Sequence, residues 1–436
     1  MPYIPTEILS RIFSLLRPDL LNRGYGNNFG NTAPGDVEEQ LARRLALSRI
    51  SRSSKRFRQV SLPVLYHTIP KISAKLLVNL VKYNSLAQMV KAIDISKSGL
   101  VPRDVLRDAL EATRHRLFLP GLEDLERRLF QCIKARQNYM VEEVLFTILL
   151  PNVETVAYFI EEPENDILFD FFRCMARSDR LPQLRHLRLL CGSGEDTMHI
   201  SNVQEMLLPT IQTLRGCGIC WEINPVEGGQ PRPPYALSNR LGLRHIDLVD
   251  AVINGTGLSD LLSRCRDLRT LRIVWGDDER MSFFRLDFGA MGTALRKHAR
   301  QLEKLALDPL KDPIYPEAAG RLGSLHRLTK LKTLRIPQNM LVGDFVEDEE
   351  GNGYLEKPLT LDQTLPDSLE SLHLLSCIDN KDMDLDEQVC SLITGGQMAN
   401  LRTIQMKRYQ AFSGNVAAFG WTVRHHRDNM ILTASS

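Results

Sequence analysis

The chain has no apolar run long enough to cross a bilayer. Its best, Val144-Leu145-Phe146-Thr147-Ile148-Leu149-Leu150, falls well short of the roughly 20 residues a spanning helix needs and lies among charged residues, which suits a core helix. It also has little net charge: 55 basic and 53 acidic side chains leave +2, so no global field marks it for nucleic acid or a membrane surface. Its eight cysteines fall at irregular spacing, and no apolar signal segment stands ahead of Pro2-Tyr3-Ile4. Both fit a reducing compartment, cytoplasm or nucleus, better than a disulfide framework. Paired metal ligands are lacking: Cys217-Gly218-Ile219-Cys220 is a lone CxxC, where a structural zinc would need a second ligand pair. Gly255-Thr256-Gly257 lacks the third glycine of a dinucleotide fingerprint, and the acidic Glu347-Asp348-Glu349-Glu350 lacks the alternating oxygens of a calcium loop. No nucleophile, base and orienting acid come together, and His425-His426 has no carboxylate or cysteine near it in sequence. The expectation is a protein without catalytic activity, cofactor or metal.

What is present is a repeat. With 43% apolar residues and no long polar tract, the chain is expected to fold throughout, and 436 residues suffice for two or three ordinary domains. Apolar residues at i, i+3 and i+5 place the last two on one side of a strand. This register occurs at Leu184/Leu187/Leu189, Leu243/Ile246/Leu248, Leu268/Leu271/Ile273, Leu302/Leu305/Leu307, Leu331/Leu334/Ile336, Leu369/Leu372/Leu374 and Leu401/Ile404/Met406. Weaker copies stand at Val90/Ile93/Ile95, at Val153/Val156/Tyr158 and at Ile211/Leu214/Gly216, where glycine fails the third position. The interval from 90 to 153 has room for one more. Leu331-Lys332-Thr333-Leu334-Arg335-Ile336-Pro337-Gln338-Asn339-Met340-Leu341 matches L-x-x-L-x-L-x-x-N-x-L, with asparagine expected to bond the backbone leaving the strand. The pattern resembles an irregular, lengthened set of leucine-rich repeats. That resemblance implies an α/β solenoid over 150–436, with parallel strands on the concave face and helices on the convex face, because a single unit leaves an apolar face uncovered.

Residues between the core-facing positions point onto the opposite, concave face. They are Arg188, Asp247, Arg272, Ala306, Arg335, His373 and Gln405, with Trp275 one step beyond a strand in the same neighbourhood. Three arginines against one aspartate suggest a face that captures a protein target bearing acidic or phosphorylated groups.

The N-terminus reads differently. Pro5 leads a helical period with apolar residues at Ile8, Leu9, Ile12, Phe13, Leu15 and Leu16. A second helix is expected from Leu41 to Phe57, with Arg49, Arg52, Lys55 and Arg56 on its solvated side, followed by Val60-Ser61-Leu62-Pro63-Val64-Leu65-Tyr66. Ile4-Pro5, Glu7-Ile8-Leu9, Ile12-Phe13, Ser54-Lys55-Arg56-Phe57-Arg58 and Leu62-Pro63-Val64-Leu65-Tyr66 resemble an F-box, over about one seventh of the chain. The resemblance implies that Ile4, Pro5, Ile8, Leu9, Ile12, Phe13 and Phe57 meet a groove on a Skp-family adaptor and, through it, a cullin-RING ubiquitin ligase. The alternative is a leucine-rich-repeat interaction scaffold without a ligase role. The expected boundaries are a helical module at 1–69, a mainly helical connector with a first degenerate repeat at 70–149, and the repeats at 150–436. Mobile loops are expected at 24–31 and 225–234.

Overall fold

The computed structural model describes residues 5–15, 34–95, 101–117, 123–135, 140–160, 166–178, 181–191, 197–221, 241–276, 286–309, 320–343, 359–375, 385–396, 398–407, 415–426 and 429–434. Ile4, Leu16, the two expected loops and the acidic run at 347–350 lie outside them. The protein is mixed α/β. It divides into two compact units, Met1–Gly192 with Glu205–Thr210, and Ser193–Gln204 with Ile211–Ser436. Neither expected boundary, at 69 or at 149, coincides with that division.

The first unit begins with three helices, α1 (Thr6–Ser14), α2 (Pro34–Ser53) and α3 (Lys55–His67). The sequence suggested one helix through Phe57. It stops at Ser53 because Ser54 is extended and its hydroxyl accepts the Phe57 N–H at 3.1 Å, capping α3 instead. Next come β1 (Thr68–Ile69), α4 (Ala74–Lys82), α5 (Asn84–Met89) and β2 (Ala92–Asp94). Helices α6 (Arg103–Leu117), α7 (Glu123–Ala135) and α8 (Val141–Leu149) lead to β3 (Thr155–Ile160), α9 (Asp166–Ser178) and β4 (His186–Cys191). The four strands are parallel, in chain order. Ile93 of β2 sits directly beside Val156 of β3, so the interval that could have held a further strand is spanned by helices without one intervening in the sheet. β1 was not expected: the last two residues of the N-terminal module are already sheet, and Arg44 Nη1 ties α2 to them by donating to the Thr68 carbonyl at 2.6 Å.

Behind these strands Glu142 of α8 is buried, its Oε1 accepting the Val101 N–H at 2.9 Å. Burial raises its pKa above the ordinary glutamate value, outweighing that hydrogen bond. A carboxyl that ionises more readily unfolded than folded adds stability below its unfolded pKa, and that stability is lost as pH rises through the folded pKa. Glu142→Gln keeps the acceptor and cannot ionise. Its urea midpoint at pH 7 is expected above that of the unsubstituted protein, with the gap closing towards pH 4; a lower midpoint at pH 7 and no convergence would refute this account.

The second unit contains β5 (Met198–His199), α10 (Ile200–Met206, shared with the first unit), β6 (Thr213–Cys217), β7 (Ile219–Trp221), β8 (His245–Ile253), α11 (Gly255–Arg264) and β9 (Thr270–Trp275). These are followed by α12 (Phe288–His298), β10 (Lys304–Pro309), β11 (Thr333–Ile336), α13 (Gln338–Val342), α14 (Leu361–Thr364), β12 (Ser371–Leu374), α15 (Leu385–Thr394), β13 (Thr403–Lys407), β14 (Trp421–His426) and β15 (Asn429–Ala434). The main sheet runs β6-β8-β9-β10-β11-β12-β13-β15-β14, parallel as far as β13 and antiparallel thereafter. In-register pairing lines up Leu214, Ile246, Leu271, Leu305, Leu334, Leu372 and Ile404 as one rank of fully buried side chains. Each such residue contributes on the order of 1.5–3 kcal/mol by leaving water.

Two glycines follow from packing. A Cβ on Gly216 would lie 2.1 Å from Ile219 Cδ1, so the residue missing from the motif is small because Ile219 of β7 fills the space. A Cβ on Gly257 would lie 1.8 Å from the Trp221 carbonyl oxygen, and its N–H is already held by Asn254 Oδ1 at 2.7 Å. Gly255-Thr256-Gly257 is therefore a capped helix start pressed against β7. Asn339 Oδ1 accepts the Met340 N–H at 2.8 Å, a bond to the next residue within α13.

Candidate docking surfaces

On α1 the apolar residues fall on two faces. Leu9 and Phe13, four residues apart, are 5% exposed and pack against Leu47 of α2 and Val60 of α3, with Ile50, Phe57, Val64 and Leu65 around them. The Phe13 and Phe57 rings lie 6.2 Å apart at 53°. Ile8, Ile12 and Leu15 take the other face, one helical turn apart, and are 50%, 46% and 74% exposed. Pro5 is exposed ahead of them, and its carbonyl accepts the Leu9 N–H. The expectation that all of these residues are surface contacts is corrected for Leu9 and Phe13, which form the module's own core, and Phe57 is half-buried against them. Leu15 was not singled out, although its spacing from Ile8 and Ile12 placed it on their face. Arg49, Arg52 and Lys55 are exposed, as a solvated helix side requires, whereas Arg56 is half-buried.

The outward sheet residues are brought together as the spacing implied. In the second unit Asp247, Arg272, Ala306, Arg335, His373 and Gln405 occupy neighbouring positions on β8 to β13. Arg188 lies in the first unit, beside Ala157. The charges are less available than their count suggested. Arg272 Nη1 lies 3.0 Å from Asp247 Oδ1, and Arg335 Nη2 lies 2.8 Å from Asp308 Oδ2. Asp308 was missed because it stands on the next outward position of the neighbouring strand. His373 Nε2 is 3.0 Å from the Ser371 hydroxyl; burial, then the Arg335 charge, hold its pKa below the ordinary histidine value.

A second rank, one step towards the strand starts, carries His245, Thr270, Lys304, Thr333, Ser371 and Thr403. His245 is also held below its ordinary pKa, by burial first and then by Arg269 and Arg244. Along the strand starts opposite charges alternate: Arg269 lies 3.4 Å from Glu303 and Lys332 lies 2.9 Å from Glu370. These surface pairs are screened by solvent and act mainly to favour this register.

Trp275 is corrected outright. It is fully buried, and its Nε1 donates to the Ile253 carbonyl at 3.3 Å, so its ring is not offered to a partner. Cys217 is buried, Cys220 is half-buried, and among the described residues no group of three His, Cys, Asp or Glu could hold a metal ion. Among those residues, too, no helix is long and apolar enough to cross a membrane. Compared with protein-family models and with curated proteins, the chain matches none.

Proposed function

We propose that this chain is the substrate-recognition subunit of a Skp-cullin-F-box ubiquitin ligase: α1 docks in a groove of a Skp-family adaptor, and the strand-bearing repeats, read as a leucine-rich solenoid, hold a protein target. The observation that carries the reading is the ridge Ile8, Ile12 and Leu15, left open to solvent on a helix that Leu9 and Phe13 lock from behind. It lies on the segment whose residues resemble an F-box, and an apolar helix face presented this way suits helix-in-groove recognition. Such a receptor makes and breaks no bond. It contributes proximity, raising the effective concentration of a target lysine near a charged conjugating enzyme.

Co-purification with a Skp-type adaptor tests the adaptor half. Point substitutions are preferable to removing residues 1–69, because Thr68 and Ile69 form β1 and pair with β2. An intact protein that captures a target but no adaptor would leave the interaction scaffold as the reading. For the target half, Arg272→Ala and Arg335→Ala together are expected to weaken capture of an acidic or phosphorylated partner by tenfold or more in quantitative pull-downs. Unchanged capture would remove that face from consideration.

A further inference from the structure

The sheet of the second unit ends in two strands that the leucine motif does not reach. β15 pairs with β13 and β14 pairs with β15, and no strand lies on the other side of β14 among the described residues. Ala434 N–H donates to the Arg402 carbonyl at 2.9 Å, so the even-numbered residues of β15 bond towards β13 and the odd-numbered ones towards β14. Ile431 and Thr433 therefore bond to their register partners Arg424 and Thr422. By alternation, the N–H and C=O groups of Val423 and His425 point away from the sheet.

Among the described residues this edge carries neither a proline nor a bulge to blunt it. Trp421–His426 contains neither proline nor lysine, and its register with β15 is unbroken. Val423 continues the rank of Ile404 and Leu432 to the rim, where it is 37% exposed, and Phe419 just before the strand is 52% exposed. The edge strand itself carries Arg424 and no carboxylate. A second copy of the chain would bring the same arginine to the seam, whereas an acidic strand would bring opposite charge.

We propose that β14 is a site of β-strand addition, taking an extended partner segment that alternates apolar and acidic residues. Main-chain hydrogen bonds to Val423 and His425 supply affinity, the apolar side chains extend the core rank beyond Val423, and the carboxylates meet Arg424. The probe is a fluorescent eight-residue peptide of alternating valine and glutamate, titrated against the full chain by polarisation. Binding is expected at least tenfold tighter than for the valine and lysine counterpart, and it should be lost when the probe is N-methylated on its bonding edge. Val423→Pro removes only an outward N–H, a position where an edge strand tolerates proline, so it should lose the probe while keeping its melting temperature. Should that variant not fold, Arg424→Glu is expected to reverse the preference between the two peptides. Equal binding of the N-methylated probe would reduce the effect to charge and overturn the proposal. So would concentration-dependent dimerisation abolished by Val423→Pro, which would assign the edge to a second copy.

Discussion

Changing Ile8 and Ile12 together to aspartate is expected to abolish capture of a Skp-type adaptor while leaving the melting temperature of the chain within a degree or two. Both side chains stand about half exposed on the free protein, so the folded state loses little when they become polar. In a complex they would be buried. Removing two isoleucine contacts of roughly 1.5–3 kcal/mol each, and placing two carboxylates in an apolar groove, weakens binding by at least about a hundredfold. Leu9→Ala behaves differently, because Leu9 is 5% exposed within the three-helix core; its cost, about 2–5 kcal/mol, should appear as lost stability. Capture that survives Ile8→Asp with Ile12→Asp on a folded chain would count directly against docking through this ridge.

That pair of substitutions also marks where sequence reading stopped. Helical spacing reveals both ridges of α1, but which one faces the protein's own core depends on α2 and α3, whose packing no local pattern encodes. Strands are more legible, because a motif with apolar residues at i, i+3 and i+5 fixes a side-chain parity. Each of the ten motif copies coincides with a strand, and their alignment by itself places Asp247 beside Arg272. The Arg335 to Asp308 contact is diagonal, between unlike positions of neighbouring strands, and needs the observed register. β1 is two residues long and β14 with β15 carries no leading leucine, so the motif was blind to both ends of the strand series. In the antiparallel pair the alternation of Met430 and Leu432, both fully buried, was the available signal.

Trp275 shows parity overlooked. It follows Leu271 and Ile273 at the same two-residue interval, and β9 extends far enough to keep it on their side of the sheet. Trp275→Ala is therefore expected to cost about 3–5 kcal/mol, the usual range for emptying a buried indole site. Trp275→Phe, which keeps an aromatic filler and loses the bond to the Ile253 carbonyl, should cost about 1 kcal/mol from that bond plus a smaller packing loss. Against a total of roughly 5–15 kcal/mol the alanine change is a large fraction, so the urea midpoint should fall markedly. With two compact units a single transition cannot be assumed, but the assignment of the loss is testable: Trp221, Trp275 and Trp421 all belong to the second unit. Indole fluorescence reports on that unit and should register the shift through Trp221 and Trp421. Were Trp275 instead a contact on the binding face, its alanine variant would keep the midpoint and lose the target, the opposite pattern in both readouts.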